Sequence, residues 1–176
     1  MPDYSSCAIA SGYTKSCRDS IGGIKTVYIT ELANKSTLTH SSGLIATFTL
    51  STGKKFWTFE PEQNTVTASD DETPNANNGT QFFEHKCTMP IVKRTATMSH
   101  VFRLMGMTDV MIIILDQNGL YWLLGGINGM KKQASTNPFG QNMGDMNGYT
   151  QVFMGQEPYQ ALQVPSNLIA TLTTPA

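Results

Sequence analysis

Charge is scarce in this chain: of 176 residues only 14% are Asp, Glu, Lys or Arg, against about 25% in ordinary soluble domains. The 12 basic and 13 acidic side chains leave a net charge of −1. No global field therefore draws the chain to nucleic acid or to an acidic membrane surface. No apolar run reaches the roughly 18 residues that a membrane-spanning helix needs. The opening Met1-Pro-Asp-Tyr-Ser-Ser-Cys7 lacks the basic and apolar regions of a secretory signal, so the expectation is a chain not marked for export. Cysteine is also sparse. Cys7, Cys17 and Cys87 are odd in number and widely spaced, which argues against a disulfide framework and for synthesis in a reducing cytoplasm. Also missing are the G-x-S-x-G elbow, the G-x-x-x-x-G-K-[ST] loop, the G-x-G-x-x-G turn and the H-E-x-x-H pair, each of which would place a nucleophile, a phosphate or a metal. The expectation is a protein that is not an enzyme.

What is present points to a single β-rich domain with arms. A hydrophobic share of 40% is enough for a real core at this length. Thr, Ser, Asn and Gln are abundant. Burying an amide or a hydroxyl costs less than burying an ion, so this composition suits surfaces that other subunits will cover. The plainer alternative is an ordinary, mildly polar β protein.

Residues 1–22, rich in Ser and small residues, read as an N-terminal arm; 23–165 form the β domain, and 166–176 read as a C-terminal tail. The β-branched and aromatic run Ile24 to Thr30 is the first strand. Leu44 to Leu50 and Lys55 to Glu60 flank Ser51-Thr52-Gly53 and suggest a hairpin. Residues 61–79 carry Asp70, Asp71 and Glu72 with hardly a large apolar side chain apart from Val66; they are expected to project as a long loop. Period-two alternation then puts Phe83, His85, Cys87 and Met89 on one face of a half-buried strand. Pro90 is expected to limit central pairing. Met98, Val101, Phe102 and Met105 fall along one stripe of a helix, with Thr95 or Thr97 to cap it and Gly106 to end it. Asn118-Gly119 sits between the apolar runs Val110 to Asp116 and Leu120 to Gly125, a strong hairpin pattern. Residues 130–147 combine a strand edge with a loop, and Gly148 to Pro158 reads as one more strand.

Candidate chemistry is thin. His85 and Cys87 share a strand face, and His40, His100, Cys7 or Cys17 could complete a metal site. No second pair stands at ligand spacing, so core packing is the favoured reading, and no metal or cofactor is expected. Asp70-Asp71-Glu72 lacks the glycine-punctuated surroundings of a calcium loop and reads as a solvated segment. Lys93-Arg94 and Lys131-Lys132 read as solvated basic pairs.

The order arm, strand pair, acidic segment, strand, short helix, Asp116-Gln-Asn-Gly-Leu-Tyr-Trp-Leu-Leu-Gly125 hairpin and closing Asn147-Gly-Tyr-Thr-Gln-Val-Phe-Met-Gly-Gln-Glu-Pro158 resembles the tail tube (major tail) proteins of tailed bacteriophages. Ser16-Cys-Arg-Asp-Ser-Ile-Gly-Gly-Ile-Lys-Thr-Val-Tyr28 is similar to virion structural proteins of phages of Bacteroidetes hosts. The resemblance covers about residues 16–165. It implies two antiparallel sheets packed as a sandwich or partly open barrel with one flanking helix. It further implies six copies closing into a ring, and rings stacking into a virion tube through which DNA passes without specific binding. The implied partners are other copies of the chain and other tail proteins, with no membrane insertion by this chain. The residues expected at contacts between subunits are Pro61, Glu62, Asp70, Asp71, Glu72, Asn75 and Asn78 on the projecting segment, with Tyr4 and Arg18 in the arm. Other roles on the same kind of fold are a tail terminator, a tail ring or a decoration protein. A small ligand-binding β-barrel or enzyme is a further alternative, and it would need convergent polar groups in a pocket.

Overall fold

The computed structural model describes residues 11–15 and 17–174. Its strands are β1 (Ile24–Glu31), β2 (Lys35–Ser41), β3 (Leu44–Leu50), β4 (Trp57–Phe59), β5 (Thr67–Asn75), β6 (Thr80–Val92), β7 (Val110–Asp116), β8 (Tyr121–Leu124), β9 (Lys131–Lys132), β10 (Gly148–Glu157) and β11 (Leu162–Val164). Two helices join them, α1 (Ala96–Met105) and α2 (Ser166–Thr173). The strands form a large sheet in the order β2-β3-β11-β8-β7-β1-β4 and a small sheet in the order β5-β6-β10-β9. All pairings are antiparallel except β11 with β3. The protein is mainly β, with two sheets and no closed barrel among the described residues.

The layering follows from where the apolar side chains fall. β7 is buried on both faces, which is why Val110 to Leu115 reads as an unbroken apolar run rather than an alternating one. Val110, Ile112 and Ile114 join Cys87, Met89, Tyr149 and Phe153 of the small sheet, and Phe102 of α1, in one core. Met111 and Ile113 join Ile45, Phe48, Phe56, Ile169 and Leu172 in a second core on the other side. The large sheet is thus the middle layer, with the small sheet and α1 on one face and α2 on the other.

Several local expectations hold. Asn118-Gly119 turns β7 into β8, with Gly119 at φ 83° and Leu115 opposite Tyr121. Thr95 caps α1, its side chain accepting the Met98 N–H at 3.2 Å, and Phe102 is the buried residue of its apolar stripe. Phe83, His85, Cys87 and Met89 are all buried along β6. Pro90 lies opposite Thr150 of β10, while β5 pairs no further along β6 than Thr67 opposite Thr88. The position without an N–H therefore has a strand on one side only, and β6 continues through it to Val92.

Three expectations are corrected. The strand Leu44–Leu50 does not form a hairpin with the Lys55–Glu60 segment. It pairs with β2 through the two-residue turn Ser42-Gly43, both residues at positive φ (51° and 80°), while β4 pairs with β1. Turns of this hand match the twist of the flanking strands, and a serine in the left-handed region conceals the turn in the sequence. Residues 61–79 are not a loop: Thr67–Asn75 is a strand in register with β6 over nine pairs, from Thr67 with Thr88 to Asn75 with Thr80. Backbone pairing does not require apolar side chains, so a polar segment beside a strong strand can still join a sheet. Residues 166–176 are not a free tail up to Thr173, because Leu168, Ile169 and Leu172 give α2 an apolar stripe that closes the second core. The arm is anchored at its end, where Asn118 Oδ1 accepts the Ile21 N–H at 2.9 Å and Asn118 Nδ2 donates to the Ile21 carbonyl at 3.0 Å.

Candidate assembly surface

The β5–β6 hairpin carries a long exposed stretch on both of its strands. β6 is 13 residues long, about 43 Å at strand rise. Only its half beyond Gln81 has a buried face, and every residue from Asp71 to Gln81 is exposed. An isolated two-stranded hairpin is marginal in water. Here polar side chains hold the tip locally. Asn75 Oδ1 accepts the Asn77 N–H at 3.1 Å, Asn78 Oδ1 accepts the Thr80 N–H at 3.2 Å and hydroxyl at 2.7 Å, and Gln81 donates to Glu72 across the pair.

The residues expected at subunit contacts fall in three places. Asp71, Glu72, Asn75 and Asn78 lie on the exposed half of the hairpin. Asp71 accepts the Ser69 hydroxyl at 3.0 Å and lies 3.9 Å from Lys86, which also pairs with Glu84. Pro61 is half-buried and Glu62 exposed just before β5, where the Glu62 carbonyl accepts the Thr65 hydroxyl at 2.7 Å. Arg18 is exposed in the arm, and Tyr4 lies outside the described residues. Asp70 is corrected. Strand alternation turns it inward, where its Oδ2 accepts the Ala161 N–H at 2.7 Å and its Oδ1 lies 3.4 Å from His85 Nε2. Its carboxylate braces its own subunit.

His85 is 2% exposed. Its Nδ1 accepts the Gly125 N–H at 3.1 Å, which places the imidazole proton on Nε2, facing Asp70. Burial pushes its pKa below the ordinary value, against opposing pulls from Asp70 and the Tyr159 backbone. Burial raises the Cys87 thiol to about 12, which keeps it protonated. Among the described residues no group of three or more His, Cys, Asp or Glu is placed to hold a metal ion.

Gly125-Gly-Ile-Asn-Gly129 is the junction that sequence inspection missed. Its backbone is held by side chains from both sheets. Beyond the His85 bond, Glu157 Oε1 accepts the N–H groups of Ile127 (3.2 Å), Asn128 (2.9 Å) and Gly129 (3.1 Å). Lys35 Nζ donates to the carbonyls of Gly126 (2.7 Å) and Ile127 (3.3 Å). Gly125 and Gly129 sit at φ 67° and 84°, and a Cβ on Gly125 would meet Met130 Cγ at 2.5 Å. The three glycines in five residues were the available clue.

Two other surfaces carry exposed apolar side chains. A groove of about 540 Å³ runs between α1 and the edge strand β4, lined by Met98, Val101, Leu104 and Met105 against Trp57 and Phe59. Elsewhere the loop at residues 137–147 presents Phe139 and Met143 to solvent. A second cavity of about 550 Å³ lies around His40, Trp122 and Tyr159. Ser42 and Gln163 also line it, but no hydrogen bond there joins a nucleophile to a base. Among the described residues no helix is long and apolar enough to cross a membrane.

No protein-family model, no curated protein and no solved structure matches the chain.

Proposed function

We propose that this chain is a repeating, non-catalytic subunit of a virion. Its copies join into rings, six to a ring on the resemblance to tail tube proteins, and the rings stack into the tube through which a phage genome leaves. The observation that carries this reading is the β5–β6 hairpin, whose outer half is paired but exposed on both strands among the described residues. An exposed strand edge invites pairing with another chain, and identical neighbours in a closed ring satisfy such edges without open-ended aggregation. The acidic residues Asp71 and Glu72 on β5 keep the edge soluble until a partner arrives. A net charge of −1 also suits a conduit that must not grip phosphates.

The test is negative-stain imaging of the purified full-length protein across a concentration series, beside a variant in which residues 74–81 are replaced by a two-residue Asn-Gly turn, leaving Thr73 opposite Phe82. Hollow filaments from the full-length protein and folded, non-stacking subunits from the variant are the expected pair. Single rings that never stack support a terminator role instead, and monomers at every concentration contradict self-assembly.

A further inference from the structure

The chain contains four Asn-Gly pairs, at Asn78, Asn118, Asn128 and Asn147. Glycine places no side chain beside its own backbone nitrogen, so in such a pair that nitrogen can attack the side-chain carbonyl carbon of the asparagine before it. The fold treats the four pairs differently. In three of them the nitrogen is already engaged. The Gly119 N–H donates to the Asp116 carbonyl at 3.2 Å and the Gly148 N–H to the Pro138 carbonyl at 3.2 Å. The Gly129 N–H, in a buried position, donates to Glu157 Oε1 at 3.1 Å. Two of these asparagines are also held by the side-chain nitrogen that would have to leave. Asn118 Nδ2 donates to the Ile21 carbonyl at 3.0 Å, and Asn128 Nδ2 donates to the Gln156 carbonyl at 2.8 Å.

Asn78-Gly79, in the turn between β5 and β6, has the opposite arrangement. Both residues are exposed, and a Cβ on Gly79 would meet nothing within 4 Å. Among the described residues no acceptor takes the Gly79 N–H. Asn78 Oδ1, in contrast, accepts both the Thr80 N–H at 3.2 Å and the Thr80 hydroxyl at 2.7 Å. Two donors on a carbonyl oxygen stabilise the negative charge that develops there when its carbon is attacked. The nucleophile is free, and the group it attacks is activated.

We propose that Asn78 is a site of spontaneous modification, in which Gly79 and Thr80 convert its side-chain amide to a carboxylate. The Gly79 nitrogen bonds to Asn78 Cγ, the Cγ–Nδ2 bond breaks, and the proton from Gly79 leaves with the amide nitrogen as ammonia. Water then opens the cyclic imide. Addition at Cγ gives aspartate. Addition at the backbone carbonyl carbon gives isoaspartate, in which the chain runs through the side chain and is one methylene longer. Either product puts a new negative charge at the hairpin tip, close to where the copies are proposed to meet. The step needs no second copy, so its outcome and that of the assembly reading are independent.

The experiment incubates dilute full-length protein at neutral pH, with and without denaturing urea, and follows each Asn-Gly peptide by mass spectrometry after digestion. In the folded protein Asn78 converts at least about tenfold faster than the other three asparagines, because a hydrogen bond that must break before attack withholds about that factor. In urea the four rates converge. Thr80→Val, at an exposed position, keeps the melting temperature of the parent and slows conversion at Asn78 several-fold, while the other three sites are unchanged. Conversion at Asn78 no faster than at the other three in the folded protein overturns the proposal. A preference for Asn78 that persists in urea also overturns it, because local sequence and not the fold would then be selecting the site. Thr80→Val converting at the parent's rate overturns the activation assigned to Thr80.

Discussion

Removing the Glu157 side chain tests how the two sheets are fastened together. Glu157 is 3% exposed, and one of its oxygens takes three backbone N–H groups of the 125–129 loop. In Glu157→Ala those donors lose their acceptor, and Lys35 loses the carboxylate beside the carbonyls that it holds. A stranded buried donor costs about 1–3 kcal/mol. Asn128 is exposed and Ile127 half-buried, so water recovers part of the loss for those two, while Gly129 is buried. The expected total is about 3 kcal/mol. Glu157→Gln separates the need for an oxygen from the need for a charge. Burial pushes the Glu157 carboxyl above its ordinary value, with the three amides and Lys35 pulling the other way. The ionised form is therefore not favoured by its site, and an amide oxygen in the same place should cost less than about 1 kcal/mol. Urea denaturation at neutral pH, under conditions where the protein is monomeric, measures both. Glu157→Ala within error of the parent would refute the bracing role. Glu157→Gln as damaging as Glu157→Ala would show that the charge, not the acceptor, holds the loop.

Acid weakens the protein through His85. With its folded pKa held below the unfolded value of about 6.5, the unfolded chain takes up a proton that the folded one refuses. This part of the stability is complete above pH 6.5 and falls as pH drops below it, until the folded imidazole itself titrates. Urea midpoints of the parent and His85→Gln between pH 7.5 and 5 should converge towards acid, and parallel pH profiles would contradict the assignment. Phe153→Ala should lose about 3–5 kcal/mol, because Phe153 is wholly buried where the two sheets meet. Trp122→Ala should lose less, since Trp122 is half-buried and its Nε1–H reaches Asp116 Oδ2 at 3.2 Å; equal losses from the two would be the contrary result. Gly125→Ala should cost more than the roughly 1 kcal/mol of a left-handed alanine, because the new methyl meets Met130, and a stable variant in thermal melts would disagree.

Strong local patterns in the sequence carried most of the architecture. β7 and β8 follow from an Asn-Gly turn between apolar runs, α1 from a threonine cap and an apolar stripe, and the buried face of β6 from alternation. The failures share one cause, which is that partners distant in sequence decide the outcome. β5 has almost no apolar side chains and is a strand because β6 lies beside it. β3 reads equally well as the partner of a strand on either side, and Ser42 hides the turn that chooses. α2 is eight residues long and is fixed by Phe48 and Phe56 beneath it. For the assembly surface, Asp71, Glu72, Asn75 and Asn78 were legible as exposed, whereas the inward turn of Asp70 required the strand register. The groove beside Trp57 could not be read at all, since it joins α1 to a strand some 40 positions earlier in the chain.

Hydrogen exchange at the outer half of the β5–β6 hairpin tests the central claim most directly, because it asks whether another copy covers what the subunit leaves bare. The outward-facing amides of residues 71–75 and those of the turn at 76–79 should exchange fast in dilute protein and at least about tenfold more slowly once the protein is concentrated into assemblies. Exchange that stays equally fast in assemblies seen by scattering would show that the hairpin is not where the copies meet.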